Sequence, residues 1–231
     1  MSVRSITMID WQTIDTVLLD MDGTLLDLHF DNYFWLTHLP LRYAEAHGVS
    51  AEEANQFLMK HIRLYEGSLK WYCLDHWSEL VQMDIPALKR EIQHKIQIRP
   101  HAQEFLSALR QQQKKLVLIT NAHPKGLELK LDVTNIDRHL DLVISSHELQ
   151  MPKEDVRFWH ELQKREHFAI ERTVFIDDTP RVLESARQFG IQHLVCVNKP
   201  DSQKAATRSE KFLDICHFDE IMPPSPYVVN S

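Results

Sequence analysis

The chain is 231 residues long, 43% hydrophobic and 26% charged, with a formal net charge of −7. That composition excludes a disordered chain and supports one large domain, or a core with a modest insertion. The acidic balance argues against nucleic acid, which needs a basic face, yet leaves room for a small phosphorylated ligand held through a divalent cation.

From Met1 to Asp15 there is no apolar run long enough for a signal peptide. The longest buried-looking runs, such as Thr16–Leu19 and Leu116–Ile119, are strand-sized, against the roughly 20 residues that span a bilayer. A cytoplasmic protein without a membrane partner is expected. Cys73, Cys196 and Cys216 form no Cys-x-x-Cys pair and read as free buried thiols of a reducing compartment, not disulfides or zinc ligands. The 14 histidines include no two spaced four apart, so a helical pair of metal ligands is absent.

Thr16–Asp20 reads as a short buried strand running into a polar loop. Residues 29–98 then carry helical signals only, about four helices. Gly48 closes one, Ser50-Ala-Glu-Glu53 fits a capping box opening the next, and Asp84 with Pro86 fits a first turn. Further strands are predicted at Lys115–Thr120, Asp141–Ser145, Thr173–Asp177 and, more weakly, Gln192–Val197. Helices at Ala102–Gln113, Glu154–Glu166 and Pro180–Phe189 alternate with them, the last closed by Gly190. The alternation predicts an α/β fold, a Rossmann-like parallel sheet covered on both faces, with a helical insertion after the first strand. After Val197 the polar tail, ending Met222-Pro-Pro-Ser-Pro226, is expected to carry little structure.

Chemistry concentrates at the strand ends, where open α/β sheets place their ligands. Asp20-Met-Asp-Gly-Thr-Leu-Leu-Asp27 follows strand one. Residues two apart in extended chain share a side, so Asp20 and Asp22 point together, and Gly23 permits a sharp turn. Thr120 and Asn121 end strand two with a hydroxyl and a carboxamide fit for phosphate oxygens, although both types also cap helices. Lys153 follows strand three and offers a compact cation. Asp177 and Asp178 end strand four; adjacent carboxylates repel unless a cation holds them, although such a pair can also cap the helix that Thr179-Pro180 opens.

These four segments, in this order, resemble the four motifs of the haloacid dehalogenase (HAD) superfamily of hydrolases. The similarity spans the core and implies a HAD fold with core domain 1–28 and 99–231 and helical cap domain 29–98. More narrowly, Asp31-Asn-Tyr-Phe-Trp35, Trp71-Tyr-Cys-Leu-Asp75, Thr120-Asn-Ala-His-Pro124, Pro152-Lys-Glu-Asp155 and Phe175-Ile-Asp-Asp178 are similar to the family's bacterial purine (GMP/IMP) 5′-nucleotidase branch. Many relatives carry Pro after the third-motif lysine. Glu154 stands there in this chain, which weakens transfer from the sugar-phosphate branch.

The resemblance implies a Mg²⁺-dependent phosphatase acting on small phosphate monoesters, with purine nucleoside monophosphates foremost. Asp20 is then the nucleophile that becomes an aspartyl-phosphate and Asp22 the general acid and base. Thr120, Asn121 and Lys153 hold the phosphate; Asp20, the Asp22 carbonyl, Asp177 and Asp178 hold the metal. Asp22 must start protonated, so its pKa is expected to be raised relative to that of Asp20. Rivals are a sugar-phosphate phosphatase or phosphomutase on the same core, and a non-catalytic Mg²⁺ or nucleotide binder. A metal-free dehalogenase is disfavoured by the intact Asp22 and Asp177–Asp178 pair. Of the insertion's aromatics (Phe30, Tyr33, Phe34, Trp35, Tyr43, Trp71, Tyr72 and Trp77), most are expected to fill a helical core.

Overall fold

A computed structural model describes residues 9–224. The signal-peptide expectation thus falls partly outside the described residues, at 1–8, as do Ser225 and Pro226 of the tail. Six strands form one sheet: β1 (Thr16–Leu19), β2 (Lys115–Thr120), β3 (Leu142–Ser145), β4 (Thr173–Asp177), β5 (His193–Val197) and β6 (Leu213–Ile215). Their order is β3-β2-β1-β4-β5-β6, every pair parallel. The chain winds to one side of β1 and then to the other, so the switch point lies beside the carboxyl end of β1, where such sheets bind ligands.

Between β1 and β2 the chain is helical: α1 (His29–Tyr33), a π-helical stretch (Phe34–His38), α2 (Leu39–His47), α3 (Ala51–Tyr65), α4 (Leu69–Tyr72), α5 (Leu74–Val81) and α6 (Ile85–Glu91). This is more than the four helices expected. The first three elements run on without a break, and the four-residue α4 is too short to leave a periodic signal. The predicted punctuation is present. Gly48 caps α2 at φ 65, and Ser50 and Glu53 form a reciprocal capping box, worth roughly 1 kcal/mol. The Asp84 carboxylate accepts from the Ala87 N–H at 2.9 Å. The segment leaves and returns through one hydrogen-bonded hinge: Asp27 N–H to the Gln97 carbonyl and Arg99 N–H to the Leu25 carbonyl, both 2.9 Å.

The strand pleat divides the core. Val17, Leu19, Leu116, Leu118, Val174 and Ile176 face α7 (Ala102–Gln111), while Leu18, Val117, Ile119 and Phe175 face the opposite way. Past β2 comes α8 (Pro124–Thr134); α9 (Val156–Arg165) and α10 (Pro180–Phe189) then cover the second face with Trp159, Leu162, Val182 and Leu183. Burial on both faces explains why these strands read as continuous apolar runs.

The tail departs from expectation. β6 extends the sheet, and Phe218 stacks on Phe105 with ring centroids 4.7 Å apart. The Arg99 guanidinium donates to the carbonyls of Lys199, Pro200 and Cys216, tying the tail to the hinge. A three-residue strand held by an arginine about a hundred residues away has no local signal. Among the described residues no helix is long and apolar enough to cross a membrane.

Candidate active site

Extending the β1 register by one residue sets Asp20 level with Ile119 and Asp177. Lys153 sits across that level. Its side chain is 2% exposed, and its ammonium donates to Asp20 Oδ1 (2.5 Å), Asp177 Oδ2 (2.7 Å) and the Ile119 carbonyl (3.1 Å). An ammonium has three protons, so all are committed to the protein. The backbone N–H of Lys153 donates to Asn121 Oδ1 at 3.0 Å. The Thr120 hydroxyl accepts from the Ala122 N–H, and Asp177 Oδ1 from the Thr179 N–H, so both satisfy loop amides and neither caps a helix: the N-cap of α8 is His123, and that of α10 is Thr179 without a side-chain bond.

All seven residues singled out in the sequence, Asp20, Asp22, Thr120, Asn121, Lys153, Asp177 and Asp178, line one cavity of about 320 Å³. Trp35, Trp71 and Tyr72 from the helical segment share that lining. Phe30, Phe34 and Trp77 are fully buried instead, so the insertion's aromatics divide between core and pocket.

Asp20, Asp177 and Asp178 each offer a carboxylate oxygen within 4.8 Å of the others. Burial pushes Asp178 well above the usual carboxylate range, with Asp177 and Asp20 adding to it. Such an all-oxygen, electrostatically uncomfortable set fits a hard divalent cation. Gly23 makes room for it. At φ +86 a Cβ there would fall 2.5 Å from Asp178 Oδ2 and 2.9 Å from Pro200 Cβ, so only glycine lets the loop approach so closely.

Burial also raises Asp20 and Asp22, each to about 6, against the pull of Lys153 on the first and Lys130 on the second. The expected separation between the two is therefore absent. Each pairs with its own lysine, Asp20 with Lys153 and the part-buried Asp22 with Lys130, so desolvation and attraction balance similarly at the two.

Four residues of the site carried no signal as chemistry. Lys130 on α8, 3% exposed, donates to Asp22 Oδ1 (2.5 Å) and Asp31 Oδ2 (2.7 Å), and Lys89 on α6 donates to Asp31 Oδ1 (2.7 Å). Burial pushes Asp31 up, but the two lysines outweigh it and hold its carboxyl well below the usual range. The fourth is Tyr72, whose hydroxyl donates to Glu154 Oε1 at 2.6 Å, while Asn121 donates to Glu154 Oε2 at 2.9 Å. Glu154, conspicuous in the sequence only as a departure, thus joins the helical segment to the end of β2. A lysine on an amphipathic helix reads as solvated until its partners, 58 to 108 residues away here, are known.

Comparison with known proteins agrees with this geometry. Residues 14–190 match the haloacid dehalogenase-like hydrolase family. The GMP/IMP nucleotidase YrfG of Escherichia coli (strain K12) is 42% identical over 215 residues, 93% of this chain and 97% of that protein, and its Shigella flexneri counterpart matches equally. Among solved structures, a HAD phosphatase from Thermococcus onnurineus superposes with a TM-score of 0.76 at 22% identity, over 90% of this chain and 96% of that one. A beta-phosphoglucomutase assigned in Thermotoga maritima gives 0.65 at 17%, over 90% and 97%. The last two similarities speak to the fold alone.

Proposed function

The chain belongs to the haloacid dehalogenase-like hydrolase family, and from that premise we propose that it hydrolyses purine nucleoside 5′-monophosphates, GMP and IMP foremost, through an aspartyl-phosphate. One observation carries the proposal: four carboxylates, a buried ammonium, a hydroxyl and a carboxamide from four separate strand ends line one cavity.

Asp20, Asp177, Asp178 and the Asp22 carbonyl would hold Mg²⁺. When bound, the ion neutralises the carboxylates and offsets the charge of the phosphate dianion. Lys153 holds Asp20 by Oδ1, and we assign the carboxylate's other oxygen as the nucleophile. It attacks phosphorus as the bond to the ribose oxygen breaks, and Asp22 gives that oxygen a proton. A pKa raised to about 6 keeps a protonated fraction of Asp22 available near neutral pH. Water then attacks phosphorus, its proton passes to Asp22, and the phosphorus–Asp20 bond breaks to release inorganic phosphate. Splitting the reaction into two displacements suits a monoester whose unaided hydrolysis is so slow that ~10²¹-fold acceleration is needed.

Thr120 and the second Nδ2 proton of Asn121 are assigned to the non-bridging phosphate oxygens. Lys153 reaches them only by giving up one of its present acceptors. The helical segment 29–98 acts as the cap, docked by Tyr72 on Glu154 and by Asp31 on Lys130, with Trp35 and Trp71, which line the pocket, assigned to stack on a base. The test is phosphate release from a panel of nucleoside monophosphates and sugar phosphates with Mg²⁺. A lead for GMP and IMP is expected; preferential isomerisation or hydrolysis of a sugar phosphate would replace this assignment with a rival one.

A further inference from the structure

Beside the pocket lies a second group of ligand-bearing side chains that the proposed hydrolysis does not use. Cys73 stands at the junction of α4 and α5, His123 caps α8, and His147 follows β3. The sulfur and one nitrogen from each ring lie within 4.8 Å of one another. The two rings meet edge-on with centroids 5.0 Å apart. His147 Nε2 is buried and has no hydrogen-bond partner, a state that normally costs free energy. Asp75 Oδ2 lies 3.6 Å from His123 Nε2, and Lys125 holds the same carboxylate by its other oxygen at 2.7 Å.

We propose that Cys73, His123 and His147, with Asp75 as fourth ligand, bind a borderline-soft divalent transition metal of the Zn²⁺ class. One thiolate, two imidazoles and one carboxylate form a donor set that such ions take tetrahedrally, at about 2.3 Å to sulfur and 2.0–2.2 Å to nitrogen and oxygen. Those lengths require ligand atoms roughly 3.3–3.6 Å apart, so the side chains close by at most about 1.5 Å on binding. Cys73 releases its thiol proton to solvent as the sulfur–metal bond forms. Lys125 orients Asp75 from outside, as partners of metal ligands do. The set differs from the Asp20–Asp177–Asp178 group, whose oxygens suit Mg²⁺. Cys73 and Asp75 come from the helical segment, and His123 and His147 from loops after β2 and β3. A bound ion therefore ties that segment to the sheet at the pocket's edge.

The experiment titrates the full chain with Co²⁺ in saturating Mg²⁺, so that the oxygen site is occupied. One Co²⁺ per chain is expected, with a thiolate-to-cobalt charge-transfer band in the near ultraviolet and tetrahedral visible absorption, both abolished by added Zn²⁺. Cys73→Ser, nearly isosteric, should lose the charge-transfer band while keeping the wild-type circular dichroism. His147→Gln should weaken Co²⁺ binding by at least about 10-fold, the least that loss of even an outer partner costs. Absence of a thiolate band in the wild type, or its persistence in Cys73→Ser, would overturn the assignment. Neither result bears on phosphate release in Mg²⁺ alone, so the two proposals fail separately.

Discussion

Lys153→Met probes how the carboxylate cluster is held together. The substitution removes an ammonium that donates to two buried carboxylates and a carbonyl. Methionine keeps nearly the same volume, so little cavity cost is added. Removing one partner of a buried ion pair costs about 3–5 kcal/mol. Part of that is recovered when Asp20 or Asp177 takes up a proton, at about 1.4 kcal/mol per pKa unit. In a chain of this size each kcal/mol moves Tm by about 2–4 °C, so the unrecovered cost gives a fall of up to roughly 20 °C in chelator near neutral pH. Mg²⁺ supplies positive charge to the same carboxylates, so it should raise Tm more in the variant than in the wild type. Turnover should fall by about 10²–10³-fold, the usual loss for one preorganised stabilising group. Thermal melts with and without Mg²⁺, paired with phosphate release, measure all three quantities. A variant that melts within about 2 °C of the wild type in chelator, or gains no more from Mg²⁺, would refute the role of Lys153 as the cluster's counter-ion.

Gly23→Ala should weaken Mg²⁺ by about 10–100-fold in a calorimetric titration, because its Cβ displaces Asp178 from 2.5 Å away and a left-handed alanine is strained; an unchanged affinity contradicts the assigned metal site. Asp20→Asn should stabilise the metal-free protein above pH 6. Burial lifts this carboxyl to about 6, so the fold is favoured by its protonated form and loses that stability as pH rises through 6. The advantage of the variant should therefore shrink from pH 6 toward the unfolded value of about 4, as melts across that range would record; a wild type that is the more stable at neutral pH rules the explanation out. Lys130→Met removes the cation that lowers Asp22, so the alkaline fall of kcat/KM should shift to higher pH; a shift to lower pH contradicts Asp22 as the acid.

The parallel sheet was legible because its strands are buried on both faces and punctuated by strong caps, so periodicity and turn chemistry agreed. Asp20, Asp22, Asp177 and Asp178 were legible because each acidic pair stands directly after an apolar run, a place where an unpaired charge is otherwise unwelcome. Lys130, Lys89 and Tyr72 were not. The lysines sit on ordinary helices and Tyr72 ends a four-residue one with no periodic signal, and each has its partner far away in the chain. The Cys73–His123–His147 group was hidden for the same reason: one ligand from each of three segments leaves no spacing to read. The relative pKa values of Asp20 and Asp22 could not be read either, since burial acts on both and only the folded surroundings set its strength.

Phosphoryl transfer to the Asp20 carboxylate is the central step of this mechanism. Rapid mixing with IMP and Mg²⁺, acid quench and peptide mass spectrometry would locate the transferred group. The prediction is one phosphoryl group on the peptide bearing Asp20 and none on any peptide of the Asp20→Asn variant. A phosphoryl group on another residue, or wild-type turnover by that variant, would contradict it.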